Sequence, residues 1–241
     1  MKLISKPVII LGALLLFASV IFFKNAWVSE DAYINFRSLE QLIAGNGPLW
    51  NPHERVQAFT SPLWFWLLAL VRVISTDVFL NAIFLSFLLW MGTLIVFYKL
   101  AGDLRVFSLG LLLFITSNAF FDYTSSGLEN VLGYFLITVF LSFYLEATKE
   151  GKDQHILEDD PKEKKSLLGS LIAFGLIICV RHDLLLLVLP ATIYLIWTKR
   201  KLFSLKIWLL ILGMALLPFI LWSLFSTLYY GFPPRIRHMP N

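Results

Sequence analysis

Charged side chains are scarce in this 241-residue sequence, and their scarcity indicates the class of protein. Asp, Glu, Lys and Arg together make up 15% of the residues, whereas hydrophobic residues make up 58%. A soluble domain carries about 25% charged residues. The low charge therefore excludes a water-soluble globular domain. It predicts an all-α fold, a polytopic transmembrane helical bundle.

Cysteine is nearly absent as well, since Cys179 is the single one and lies in an apolar run. No intramolecular disulfide can form. The net charge of +4 is spread over the loops, so it indicates membrane topology and no nucleic-acid partner. The 22 Phe and 8 Trp residues suit contact with membrane lipids and interfacial belts, and they predict no cofactor site.

Apolar segments of different lengths predict about seven membrane spans. Because Lys2 and Lys6 precede the first segment, we expect the N-terminus to be cytoplasmic. Segment 62–74 is shorter than the roughly 20 residues that a spanning helix needs. We interpret it as a juxtamembrane or re-entrant helix on the outer face, because every basic cluster then becomes cytoplasmic. The predicted spans are 7–23, 79–98, 106–121, 131–145, 166–180, 184–197 and 207–228.

The first segment is interpreted as an uncleaved anchor, although a signal peptide is an alternative. A signal peptide needs small residues at its cleavage site, whereas bulky Phe22, Phe23 and Trp27 follow this apolar core.

With this topology the mixed-charge loop 146–165 is a cytoplasmic connector. Nearly all the chemically interesting residues then lie on the outer side, in 24–61, 117–130, 181–183 and the tail from 229.

Two adjacent carboxylates, Glu30 and Asp31, open the first outer loop directly after a span. They predict a catalytic base, a metal ligand or a cation clamp. The alternative is that they are favourable acids at a helix N-terminus. Apolar residues at helical spacing in 32–44 predict an amphipathic helix on the membrane surface. Thr60, Ser61 and Pro62 predict the start of the next helix, with a capping hydroxyl and an early proline.

Several motifs in these outer stretches resemble the GT-C type of polytopic membrane glycosyltransferases. They are most like the branch that contains the terminal β-(1→2)-arabinofuranosyltransferases. The similarity extends over residues 1–231, which predicts one transmembrane module, whereas the basic tail 232–241 differs from the family. We expect that tail to mark a truncation point. The motifs are EDAYINFR at 30–37, GNGPLWNPHERV at 45–56, TSPLW at 60–64, SSGLEN at 125–130 and Arg181-His182-Asp183.

The resemblance implies an enzyme of the bacterial inner membrane with its active site on the extracytoplasmic face. Its donor would be a polyprenyl-phosphate sugar, and its acceptor a glycan or a lipid. Asp31 matches the acidic position that acts as the base. Glu30 would orient Asp31, bind a metal or contact the acceptor. A divalent cation is the one cofactor allowed for, and His53 and His182 are interpreted as loop residues rather than its ligands.

The donor phosphate needs cationic ligands, and arginine forks fit phosphate oxygens well. Arg37, Arg55 and Arg181 are the candidates on the outer side. Contact with lipid headgroups is the alternative for Arg37 and Arg55. Arg181 interrupts an apolar run, where ionisable groups have a partner or a function. Asp183 is grouped with it as a candidate for substrate binding, the alternative being a structural Arg181–Asp183 pair.

Glu129 is a further candidate, for binding a sugar hydroxyl, with capping of the following helix as the alternative. Two other functions are alternatives for the whole chain. A transporter or flippase of a lipid-linked substrate would place ionisable residues in its spans and show internal repeats, and neither is found. An inactive truncated remnant predicts that Asp31→Asn changes nothing measurable.

Overall fold

The computed structural model describes residues 6–52, 54–149 and 161–231. Most of the predicted cytoplasmic loop 146–165, the predicted divergent tail 232–241, Lys2 and His53 lie outside the described residues. Within these ranges the chain forms ten α-helices and no strand. Their bounds are α1 Lys6–Lys24, α2 Ala32–Ile43, α3 Pro62–Arg72, α4 Val78–Ala101, α5 Leu104–Thr116, α6 Asn118–Ser125, α7 Asn130–Thr148, α8 Pro161–Val180, α9 Leu184–Thr198 and α10 Leu205–Tyr230.

Four of these helices, α1, α4, α7 and α10, are long and apolar enough to cross a membrane. A fifth span results if α5 and α6 are taken together as one broken helix. The predicted all-α transmembrane bundle is therefore confirmed. The described residues give fewer qualifying helices than the seven spans predicted, because α9 has only 15 residues and α8 begins with the charged residues 162–165. Seven spans and a cytoplasmic N-terminus stay predictions.

The structure divides the predicted span 106–121 between two helices. Helix α5 ends at Thr116, and α6 leaves it at an angle of 81°. Ser117 has extended backbone angles, φ −83° and ψ 98°, which a helix does not contain. The Phe114 and Phe120 rings stack across the bend with centroids 4.8 Å apart, and Phe120 also contacts the buried ring of Trp90 in α4. This aromatic packing folds α6 back onto the bundle.

The two short helices of the first outer region begin where the sequence predicts. Helix α2 occupies Ala32–Ile43, with Phe36 and Leu39 buried. Helix α3 starts at Pro62 and rises about 16 Å, half the thickness of the hydrocarbon core. The expected capping bond from Ser61 is absent: within the described part of the chain its hydroxyl is buried without a hydrogen-bond partner.

The interior is built around α8, which packs most extensively against α7 and α10. Gly175 in α8 lies where a Cβ atom would overlap the backbone carbonyl of Ala215 in α10. Glycine at this position lets the two helix backbones approach closely, as small residues do in membrane helix pairs.

Gly175→Ala is therefore expected to push α8 and α10 apart and destabilise the bundle by about 1–3 kcal/mol, as overpacking does. Thermal melting of the purified protein in detergent measures the effect. The matched control is Gly213→Ala in α10, where a Cβ meets nothing within 4 Å. Equal melting temperatures for the two variants would contradict this close approach.

The stretches predicted on the outer side lie together at one end of the bundle. Ser29 N donates to Ser126 O at 2.8 Å, which joins the first and second outer stretches. Arg181 Nη1 donates to Asn130 Oδ1 at 3.3 Å, and Tyr230 Oη donates to Pro48 O at 2.8 Å. An ion pair between Lys199 and Glu163 joins two predicted cytoplasmic stretches, 146–165 and 199–201, to each other.

Candidate functional site

The turn before α7 packs against the start of α2, and this contact brings Glu129 toward Asp31. Gly127 has a φ of +76°, a conformation that favours glycine. A Cβ there would lie 3.2 Å from Ala32 Cβ and 3.2 Å from Val28 Cγ1. The Gly127 carbonyl accepts a hydrogen bond from Trp64 Nε1 at 3.1 Å. The backbone angle therefore favours glycine at 127, and the tight space beside Ala32 and Val28 favours it as well.

The turn between α8 and α9 brings a cation to the same place. The Arg181 guanidinium donates a hydrogen bond to each oxygen of the Asp183 carboxylate. Nε donates to Oδ1 at 3.0 Å, and Nη2 donates to Oδ2 at 2.8 Å. Its Nη1 donates to Asn130 Oδ1 at 3.3 Å and lies 3.8 Å from Glu129 Oε1. The Arg181–Asp183 pair that the sequence allowed for is present. The Arg181 side chain is nevertheless 40% exposed, so part of its fork still faces outward.

These elements enclose a cleft of about 550 Å³. It brings together four of the seven residues proposed from sequence as catalytic or substrate-binding. Its lining residues are Asp31, Ile34, Asn35, Ala58, Phe59, Thr60, Leu128, Glu129, Arg181, His182 and Asp183.

The two adjacent carboxylates of the first loop are separated by this geometry. Asp31 lines the cleft, whereas Glu30 is exposed outside its lining. Asp31 occupies the N-cap position of α2, yet its side chain makes no capping hydrogen bond. Glu129 likewise precedes α7 without capping it. The Glu129 carboxyl group therefore lacks the helix-capping role that was its alternative, whereas Asp31 lies at the helix N-terminus that its own alternative expects.

Arg37 and Arg55 are held elsewhere. Arg37 donates from Nε to Trp50 O at 3.0 Å and from Nη2 to Asn51 Oδ1 at 2.9 Å, with its guanidinium 4.4 Å from the Trp50 ring centroid. Arg55 lies over the Tyr229 ring at 5.5 Å. Neither side chain lines the cleft. Each contact joins loop 44–61 to a neighbouring helix, because Arg37 lies in α2 and Tyr229 lies in α10.

Comparison with known proteins gives the family. The family model described as dolichyl-phosphate-mannose-protein mannosyltransferase matches residues 60–224, more than half of the chain. The chain belongs to this family. It is a multi-pass membrane protein of a glycosyltransferase family, and the resemblance seen in its motifs is confirmed. The match includes Glu129, Arg181 and Asp183 and begins after Asp31.

Two curated relatives carry the printed name terminal β-(1→2)-arabinofuranosyltransferase. The Mycobacterium tuberculosis protein is 28% identical over 121 residues, 45% of this chain and 19% of that protein. The Corynebacterium glutamicum protein is 45% identical over 49 residues, 20% of this chain and 7% of that protein. The matched part of the chain thus covers less than a fifth of the length of each relative. No solved structure matches it.

The carboxyl groups of the cleft differ in their electrostatic surroundings. Glu129 is 8% exposed, and burial raises its pKa above the ordinary value, while the Arg181 charge acts in the opposite direction. The pKa of Asp183 is lowered, chiefly by the hydrogen bonds that Arg181 donates to it. Those same bonds raise the pKa of Arg181. Arg181 is therefore a fixed cation, whereas Glu129 takes up a proton more readily than an exposed glutamate.

The described residues contain no group of three or more His, Cys, Asp or Glu side chains that could hold a metal ion. The sequence analysis allowed a divalent cation as a cofactor. Residues 6–52, 54–149 and 161–231 contain no such set of ligands for it. His182 lines the cleft, and its ring meets the Phe219 ring edge-on with centroids 5.6 Å apart.

Sequence reasoning gave no role to Asn35, Thr60 or His182, which the cleft includes. Asn35 had a usable signal, because it lies four residues after Asp31 at the start of a predicted helix. Positions four apart on a helix share a face. His182 directly follows Arg181 in the sequence, and this adjacency alone predicts that it lies near the same cleft. Thr60 was attributed only to the beginning of α3.

Proposed function

We propose that this glycosyltransferase moves a sugar from a polyprenyl-phosphate donor to a glycan or lipid acceptor. The observation that carries the proposal is that Asp31, Glu129 and Arg181 line one cleft at the end of the bundle where the outer stretches meet. A carboxylate and a guanidinium in one cleft suit an attacking hydroxyl and a leaving phosphate. We place this cleft at the extracytoplasmic face of the bacterial inner membrane.

The reaction makes one bond and breaks one. The acceptor hydroxyl oxygen attacks the anomeric carbon of the donor sugar, and the bond from that carbon to the phosphate oxygen breaks. Polyprenyl phosphate departs with the bonding electrons. The Asp31 carboxylate takes the proton of the attacking hydroxyl as general base. Asp31 suits this role because it is exposed in the cleft and makes no capping bond.

The leaving phosphate carries negative charge, and Arg181 is the guanidinium that the described cleft lining offers to it. Asp183 binds Arg181 through Nε and Nη2, which fixes the orientation of the fork. A guanidinium has five N–H donors, so donors on Nη1 and Nη2 stay available to phosphate oxygens. Glu129, close to Nη1, is proposed to bind a sugar hydroxyl.

The sugar to test first follows from the printed name of the relatives. Both are named for arabinofuranosyl transfer, so polyprenyl-phosphate arabinofuranose is the first donor. An octyl arabinofuranoside is the matching soluble acceptor. The family description names a mannosyl donor on a different polyprenyl carrier, dolichyl phosphate, which makes polyprenyl-phosphate mannose the second donor.

The test is an assay of the full chain reconstituted in liposomes with radiolabelled donor and acceptor. We expect labelled disaccharide glycoside to form with one of the lipid-linked donors. Nucleotide sugars should give none, because they lack the lipid carrier. Intact, inserted protein that transfers no sugar from either lipid-linked donor would contradict the proposal and favour the inactive alternative.

A further inference from the structure

The cleft has two chemically different walls. One wall comes from residues 128–129 and 181–183, and it holds the Arg181 guanidinium and His182 together with the Glu129 and Asp183 carboxylates. The other wall comes from α2 and residues 58–60. Its polar side chains are the Asp31 carboxylate, the Asn35 amide and the Thr60 hydroxyl. The Arg181 guanidinium on the first wall suits a donor phosphate, and the uncharged amide and hydroxyl on the second wall suit sugar hydroxyls.

Asn35 is the unusual member of the second wall. Its side chain is 6% exposed, and its Oδ1 is buried without a hydrogen-bond partner in the described part of the chain. Buried amides are ordinarily paired, because an unpaired one loses its hydrogen bonds to water on folding. Asn81 shows the ordinary case in this protein: it is 4% exposed, and its Nδ2 donates to Ser75 O at 2.8 Å.

The position of Asn35 relative to Asp31 indicates what its amide can bind. Both residues line the cleft from α2, and they lie four residues apart. Side chains at this spacing are neighbours on one face, with Cβ atoms about 5–6 Å apart. Two side chains so placed can contact two neighbouring hydroxyls of one sugar ring.

We propose that Asn35 binds the acceptor sugar, with its amide hydrogen-bonded to the hydroxyl next to the one that Asp31 deprotonates. This inference rests on the proposed function and adds the acceptor subsite to it. An amide both donates and accepts, so it pairs with a hydroxyl in either orientation. Asn35 is then a residue that contacts substrate and fixes which acceptor hydroxyl attacks.

The test combines variants of Asn35 with altered acceptors. Transfer is measured with octyl arabinofuranoside and with its monodeoxy analogues, each lacking one hydroxyl. We expect Asn35→Ala to lower kcat/KM for the full acceptor about tenfold, the effect of one neutral hydrogen bond. One monodeoxy acceptor should show a similar loss with the wild type and no further loss with Asn35→Ala, because the same bond is missing in both.

A matched control comes from the same helix. Ser38 is fully buried, and its hydroxyl also has no partner within the described residues, but it does not line the cleft. Ser38→Ala should leave transfer and acceptor preference unchanged. Asn35→Leu is the second variant, since leucine nearly keeps the volume and removes the unpaired polar group. It should fold at least as stably as the wild type and show the same loss of acceptor discrimination.

Three outcomes overturn the inference. If Asn35→Ala and Asn35→Leu transfer like the wild type, the amide does not contact substrate. If both lose the same factor on every acceptor, including each monodeoxy analogue, the residue acts through structure alone. If the wild type transfers no sugar at all, the proposed function fails and the acceptor subsite fails with it, which separates that result from the first two.

Discussion

Asp31→Asn is expected to lower sugar transfer by about 10²–10⁴-fold, the contribution of a positioned general base. The amide keeps the shape of the side chain and cannot take the hydroxyl proton. Because Asp31 makes no capping bond to α2, its loss should leave folding and membrane insertion intact. Transfer from the lipid-linked donor, normalised to the amount of inserted protein, measures the effect.

Glu30→Gln is the matched control for this prediction. Glu30 is adjacent in sequence, has the same charge and is exposed, but it lies outside the lining of the cleft. Its replacement should change transfer by less than about tenfold, the scale of one lost polar contact. Equal, large losses for both variants would show that the local negative charge matters rather than a base at 31. Full activity of Asp31→Asn would remove the assignment altogether.

The sequence predicted helix α2 well and the α5–α6 bend not at all, for different reasons. Helix α2 has apolar residues at helical spacing and ends beside Gly45, whose φ of +82° stops the helix. Residues 106–121 are apolar on both sides of the three polar residues 116–118, which interrupt the apolar run but do not determine an angle between two helices. The 81° bend depends on aromatic packing against Trp90, a contact between helices that are distant in sequence.

The site shows the same division between local and tertiary information. Topology placed Asp31, Glu129 and Arg181 on one side of the bundle, and the structure brings them into one cleft. It also placed Arg37 and Arg55 there, but each is bound by an aromatic ring of another segment. A side chain as long as arginine reaches several partners, and its sequence position does not determine which one it contacts.

Arg181→Lys is expected to lower kcat/KM for the lipid-linked donor about 10–100-fold. A hydrogen bond to a charged group contributes roughly 1.5–3 kcal/mol, and lysine keeps the charge while losing the fork. Lysine also cannot bind both Asp183 oxygens and present further donors to phosphate in the planar geometry of a guanidinium. Initial rates over a range of donor concentrations measure the effect.

Arg72→Lys separates loss of phosphate binding from loss of an ion pair. Arg72 binds both oxygens of Glu40, at 2.9 and 3.4 Å, in the same way that Arg181 binds Asp183, but outside the cleft lining. Each substitution therefore breaks one bidentate pair, and only Arg181→Lys alters the cleft. If Arg181→Lys melts at a lower temperature yet transfers like Arg72→Lys, the Arg181–Asp183 pair is structural. If only Arg181→Lys changes how the rate varies with donor concentration, the guanidinium is a phosphate ligand. A loss of stability alone cannot produce such a change.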